Sequence, residues 1–129
     1  VRTNPSILII DDDPMLCELL ALHLSFAGYD NVRVAEDAVV GGRMLLESPP
    51  DLLLTDIIMP YLDGLQLLEA MRDDDTTRNI PVIIISIRKD DEAYRKARQF
   101  GACAYLQKPL DAAELVATVK RVLADPTPM

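Results

Sequence analysis

The chain is short of basic charge, holds two cysteines and one histidine, and has no long apolar run. Each shortage removes a class of function. Thirteen Lys and Arg stand against 21 Asp and Glu, a net charge of −8. A surface that follows a nucleic-acid backbone needs the opposite balance, so direct nucleic-acid binding by this domain is not expected. No stretch approaches the ~20 apolar residues of a membrane helix and no secretory pattern opens the chain; the expectation is a cytoplasmic protein with no membrane partner. Cys17 and Cys103 lack metal-ligand spacing and sit in apolar surroundings, which suits two buried thiols in a reducing compartment. His23, the lone histidine, falls on an apolar helical pattern and reads as a core or boundary residue. No glycine-rich phosphate loop occurs, so nucleotide binding is not expected. A start at Val1 leaves the native beginning open.

What is present suits one domain. The 129 residues are 50% hydrophobic and 26% charged, enough to bury a substantial core. "ILII" (Ile7–Ile10), "LLLT" (Leu52–Thr55) and "VIIIS" (Val82–Ser86) are continuous apolar runs. A parallel sheet covered on both faces produces such runs. "VRVA" (Val32–Ala35) alternates and "CAYLQ" (Cys103–Gln107) is mixed, as edge strands would be.

Helical patterns fill the gaps. Asp13 caps the first, with Pro14 in its first turn; Leu16, Leu19, Leu20, His23 and Leu24 keep the helical period, and Gly28 stops it. The second runs from Asp37 to about Glu47 and is expected to be the least secure, because Gly41 and Gly42 each cost about 1 kcal/mol relative to Ala. A third spans Leu65–Arg72, and a fourth about Asp90–Phe100 with Ala93, Ala97 and Phe100 on one stripe. The fifth opens with Asp111 and Glu114 at capping-box spacing, has Leu110 and Leu115 as a staple, and buries Leu115, Val119, Val122 and Leu123. "RDDDTTR" (Arg72–Arg78) reads as a solvated loop without chemistry. "ADPTPM" (Ala124–Met129) closes the chain, so residues 1–124 form the domain and 125–129 a tail or the start of a linker.

Five strands alternating with five helices predict a doubly wound α/β domain, a flavodoxin-like parallel sheet ordered 2-1-3-4-5. Ligands of such sheets bind past the carboxyl ends of the strands. There the chain delivers Asp11, Asp12, Asp56, Ser86 and Lys108. Two carboxylates ~4 Å apart repel by about 4 kcal/mol at an effective dielectric of about 20, so three converging acids call for a cation. Ligands that are oxygen only point to Mg²⁺. A carboxylate can attack phosphorus, while an ammonium and a hydroxyl can meet the phosphoryl oxygens.

"ILIIDDDP", "LLLTDIIMPYLDG", "PVIIIS" and "GACAYLQKPL", in that order, resemble the receiver domain of two-component response regulators along essentially the whole chain. The resemblance implies a phosphorelay switch, not an enzyme acting on an external substrate. Asp56 would accept a phosphoryl group from a sensor histidine kinase or phosphotransfer protein. Asp12, Asp56 and the backbone carbonyl of Ile58 would ligate Mg²⁺ directly, with Asp11 acting largely through water. Lys108 would contact the phosphoryl group, and the Lys108–Pro109 bond would be cis. Ser86 and Tyr105 match the family's switch pair. The fourth helix, fifth strand and fifth helix would face an output domain, an effector or a second copy as a homodimer.

Three departures stand out. Ile87 replaces a small residue, with the expectation that it crowds the phosphorylation pocket or restricts Tyr105. Ile58 and Arg88 replace residues that orient a hydrolytic water in relatives, which implies a long-lived phosphoryl group. Ala38 stands where Gly is frequent. Two other functions compete. One is a phosphohydrolase similar to the haloacid dehalogenases, with Asp11 as nucleophile; the other is a pseudo-receiver that is never phosphorylated.

Overall fold

The computed structural model describes residues 4–129. Val1, and with it the question of the native beginning, lies outside them. The strands are β1 (Ile7–Ile10), β2 (Val32–Ala35), β3 (Leu52–Thr55), β4 (Val82–Ser86) and β5 (Ala104–Gln107). The helices are α1 (Pro14–Phe26), α2 (Ala38–Glu47), α3 (Gly64–Arg72), α4 (Asp91–Gln99) and α5 (Ala112–Ala124). All strands pair in parallel, in the order β2-β1-β3-β4-β5. This is the flavodoxin-like topology, with the two mixed strands at the edges.

Side chains alternate across a strand, and each central run feeds two cores. Leu8, Ile10, Leu53, Val82 and Ile84 pack on one face with Leu45 of α2, Leu68 of α3, and Ala93 and Ala97 of α4. Ile7, Ile9, Leu52, Leu54, Ile83 and Ile85 pack on the other with Leu20 and Leu24 of α1 and Leu115, Val119 and Val122 of α5. Both faces are buried, so polar interruption of these strands is not tolerated. Each fully buried Ile or Leu contributes about 1.5–3 kcal/mol.

Some local expectations change. Leu19 is exposed on α1, where Cys17, Leu20 and Leu24 take the buried stripe. Asp111 accepts from the Ala113 amide at 3.3 Å, the second of the helix rather than the third, and the reciprocal bond of a capping box is not made there. The reciprocal box forms instead at α3, between Asp63 and Gln66. Gly41 has a packing reason: a Cβ there would meet Ile10 Cδ1 at 2.3 Å, so α2 lies close over β1. Within "RDDDTTR", residues 73–76 and Arg78 are exposed, while Arg72 and Thr77 are tied into the fold. Arg72 donates to the carbonyls of Phe100, Arg78, Ile80 and Gly101, and the buried Thr77 hydroxyl donates to that of Met71. The guanidinium thereby ties the end of α3 to the turns before β4 and β5. Residues 125–129 lie against the start of β5, with the Met129 amide donating to the Ala102 carbonyl at 2.9 Å.

Candidate phosphoacceptor site

Register builds the site. Ile10 and Thr55 are level in the β1–β3 pair, so the next residues, Asp11 and Asp56, emerge side by side. The Asp56 amide donates to the Ile10 carbonyl at 3.0 Å, fixing that level past the last ladder pair. Ser86 ends β4 opposite Gln107, and the Lys108 amide donates to the Ser86 carbonyl at 2.9 Å. Lys108 therefore leaves β5 above β4, and its side chain crosses to the acids.

Asp11, Asp12 and Asp56 each offer a carboxylate oxygen within 4.8 Å of the others. Lys108 Nζ donates to Asp11 Oδ2 at 2.9 Å and to Asp56 Oδ2 at 3.0 Å. Asp56 Oδ1 accepts from the Ile57 amide at 2.7 Å, and Asp11 Oδ1 from the Asp13 amide at 2.9 Å. Asp56 is 6% exposed and Asp11 2%, whereas Asp12 faces solvent. Asp13 caps α1 by accepting from the Met15 and Leu16 amides, which leaves the two preceding acids for other work.

Burial pushes the Asp56 carboxyl above its ordinary value, and the bonds from Lys108 only partly offset that. Burial opposes the charge of Lys108 as well, but there the bonds to Asp11 and Asp56 prevail and hold its pKa above the usual value. The two directions agree: one ammonium shared by two acids satisfies itself before it satisfies either of them. Three acids around one ammonium form an all-oxygen donor set with surplus negative charge, which fits a small hard divalent cation. Behind the acids, burial raises the Cys17 thiol to about 11, with the Asp11 carboxylate adding to it. Its Sγ donates to the Asp11 carbonyl at 3.5 Å, the position of an inert packing thiol.

The other sequence-derived residues occupy the same edge. Ser86 is fully buried, and its Oγ accepts from the Arg88 amide at 3.1 Å rather than bonding a carboxylate. The Tyr105 ring is half-buried, and its hydroxyl donates to the Arg88 carbonyl at 2.7 Å. Ile58 is 50% exposed. The Lys108–Pro109 bond is cis. Ile87, the residue after Ser86, is 64% exposed.

The family model for the response regulator receiver domain matches residues 7–120. The chain belongs to that family. Receiver domains are signalling modules that bind Mg²⁺ at an acidic pocket and work with histidine kinases and output domains. This receiver domain is 36% identical over 119 residues to the DNA-binding dual master transcriptional regulator RpaA of Synechocystis, covering 92% of this chain and 49% of that one. It is 32% identical over 118 residues to the phosphate regulon transcriptional regulatory protein PhoB of Pseudomonas aeruginosa, covering 92% and 51%. The chain thus spans about half the length of these relatives. Among solved structures, the receiver domain protein (CheY-like) of Methanospirillum hungatei superposes with a TM-score of 0.88 at 28% identity, covering 95% and 96%. The receiver domain of Francisella response regulator 1452 gives 0.85 at 30%, covering 94% and 98%. No helix among the described residues is long and apolar enough to cross a membrane.

Two features of this receiver domain escaped the reading of the sequence. Gly64 opens α3 against the acceptor's own backbone: a Cβ there would lie 1.9 Å from the Asp56 carbonyl oxygen. The "DG" that ends "LLLTDIIMPYLDG" was its only signal. Met15, Leu19, Leu22 and Phe26 form an exposed apolar stripe down α1 from the edge of the site. Their 4-3-4 spacing was visible, but one helical period alone does not tell which stripe faces the core.

Proposed function

We propose that this domain is a phosphorylation-dependent signalling switch in which Asp56 accepts a phosphoryl group from a phosphohistidine on a partner kinase or phosphotransfer protein. One observation carries the reading: a nearly buried Asp56 carboxylate sits 3.0 Å from the Lys108 ammonium inside a cluster of three acids. An Asp56 oxygen forms the bond to phosphorus, the bond from phosphorus to the donor's imidazole nitrogen breaks, and that nitrogen takes up a proton. The ammonium of Lys108, already between Asp11 and Asp56, turns to the phosphoryl oxygens, and the Ser86 hydroxyl gives up the Arg88 amide to donate to one of them. When bound, Mg²⁺ supplies positive charge against the same oxygens. Asp12, Asp56 and the carbonyl of Ile58 would hold it, with Asp11 acting through water.

A donor must come to the rim, because the acceptor is too recessed to go out to it. Met15, Ile58 and Ile87 are exposed apolar residues of the segments around the strand ends, and the α1 stripe continues from Met15. That surface suits a protein donor with an apolar helical face. Output is read at α4, β5 and α5, either by a domain joined through residues 125–129, by a separate effector or by a second copy, in the cytoplasm. Asp11 and Asp56 are bonded alike, each to Lys108 and to one backbone amide, so it is the place of Asp56 in the order of motifs, rather than this geometry, that favours it over Asp11 as nucleophile. The intact set of Asp56, Lys108 and Ser86 also weighs against a domain that is never phosphorylated.

The deciding experiment is treatment with a small acyl phosphate and Mg²⁺ followed by mapping of the modified residue. Modification of Asp56, lost in Asp56→Asn, supports the switch. Modification of Asp11 supports the hydrolase chemistry, and no modification together with no binding of beryllofluoride supports a pseudo-receiver.

A further inference from the structure

The contacts that hold Tyr105 form a closed circuit on the β4–α4–β5 side of the domain. Its hydroxyl donates to the Arg88 carbonyl at 2.7 Å, and its ring lies 4.2 Å, centroid to centroid, from that of Tyr94 on α4, tilted by 34°. Gln107 stands two residues beyond Tyr105 on β5, hence on the same side of the strand. Its amide nitrogen donates to the Tyr94 hydroxyl at 2.6 Å. Tyr94 is thus gripped from two points of β5, by a ring and by an amide.

Arg88 closes the circuit. Its carbonyl receives Tyr105, while its amide donates to Ser86 Oγ at 3.1 Å. Its guanidinium makes a two-pronged pair with Asp90, at 2.9 and 2.8 Å. Asp90 in turn caps α4 by accepting from the Ala93 amide, one residue before Tyr94. None of these bonds involves Asp56 or Lys108.

We propose that Tyr94, strapped by Gln107, is a positioning residue that holds Tyr105 docked on Arg88 independently of the acceptor, so that the resting switch is already shifted toward the docked tyrosine. The inference rests on the reading of Ser86 and Tyr105 as the switch pair. Its physical basis is linkage. A contact that favours one of two states raises the affinity of any ligand that also favours it, by the ratio of that state's populations with and without the contact. An aromatic pair in this geometry shifts such an equilibrium by about three- to tenfold. Tyr94 touches neither the acceptor nor its cation, yet it would set how tightly a phosphoryl group is held.

The test compares the full chain with Tyr94→Leu, Tyr94→Phe and Gln107→Ala. Two readouts are taken: the Tyr105 side-chain rotamer by NMR without any phosphoryl mimic, and the dissociation constant for beryllofluoride in Mg²⁺. The expected result is a Tyr105 largely in one rotamer in the native chain. In Tyr94→Leu the rotamer averages and beryllofluoride binds up to about twofold more weakly. Tyr94→Phe, which keeps the ring, and Gln107→Ala, whose exposed side chain leaves the core untouched, shift both readouts the same way by a smaller amount. An unchanged rotamer in Tyr94→Leu, or in Gln107→Ala should the former not fold, overturns the proposal, as does an averaged rotamer in the native chain. If the native chain takes up no beryllofluoride, the acceptor reading fails, and the rotamer comparison still decides the role of Tyr94.

Discussion

Gly64→Ala should disable the site and weaken the fold, although alanine is the better helix former. The missing Cβ would lie 1.9 Å from the Asp56 carbonyl oxygen, 2.9 Å from its carbonyl carbon and 3.1 Å from Ile57 Cα. All three are backbone atoms, so no side-chain rotation relieves the overlap. Restoring ordinary contact requires α3 and the end of β3 to part by roughly 1.5 Å. The hydrogen bond from the Gly64 amide to the Ile57 carbonyl, 2.9 Å long, resists that movement. Overpacking of this kind costs about 1–3 kcal/mol, and the helix-propensity gain of about 1 kcal/mol returns only part of it. A net loss of up to about 2 kcal/mol follows. The displacement falls on the residue that must stay 3.0 Å from Lys108, and a misplacement near 1 Å costs about a hundredfold in rate.

Urea unfolding in EDTA measures the first effect, and the rate of Asp56 labelling by a small acyl phosphate in Mg²⁺ measures the second. Gly42→Ala is the internal control, because a Cβ at Gly42 meets nothing within 4 Å. It should gain up to about 1 kcal/mol and label at the native rate. A Gly64→Ala protein as stable and as quickly labelled as the native one would refute the argument that this glycine is required by close backbone approach.

Three further outcomes are expected. Asp56→Asn should stabilise the metal-free fold near neutral pH by roughly 1 kcal/mol, a few degrees in Tm, because it relieves crowding among the acids. The sign follows from the raised pKa of Asp56: the folded state holds that proton more tightly than the unfolded one, so its ionisation destabilises as pH rises from the unfolded value of 3.8 through the folded one. The advantage of the variant should vanish below the unfolded value, and a variant less stable than the native chain in EDTA at pH 7 contradicts the burial argument. Ile58→Asn should shorten the phosphoryl lifetime about tenfold by placing an amide where it can orient water, timed after removal of the donor; equal lifetimes would defeat this. Leu22→Arg, on the exposed α1 stripe, should slow transfer from a protein donor tenfold or more while labelling by a small acyl phosphate is unchanged. Loss of both rates together would place the effect in the fold rather than at the docking face.

The strand ends were legible because a parallel sheet converts position in the sequence into height along one edge. Once "ILII" and "LLLT" are read as paired buried strands, the residue after each must stand at the same level, so Asp11 and Asp56 meet without any knowledge of tertiary distances. Lys108 could be placed at the same edge by the same logic, and its amide bonds the Ser86 carbonyl there. What could not be read is whatever depends on the gap between an element and its neighbour. Gly64 and Gly41 both look like helix weakeners in one dimension, and both are the points where a helix comes too close for a Cβ. Likewise the exposure of Ile87 depends on the loop into α4, which the strand pattern does not describe. Tyr94 carries no motif at all, and its contact with Tyr105 appears only when α4 is laid beside β5. Edge chemistry is therefore a property of register, which the apolar pattern encodes. Tuning of that chemistry is a property of interelement distance, which the pattern does not encode.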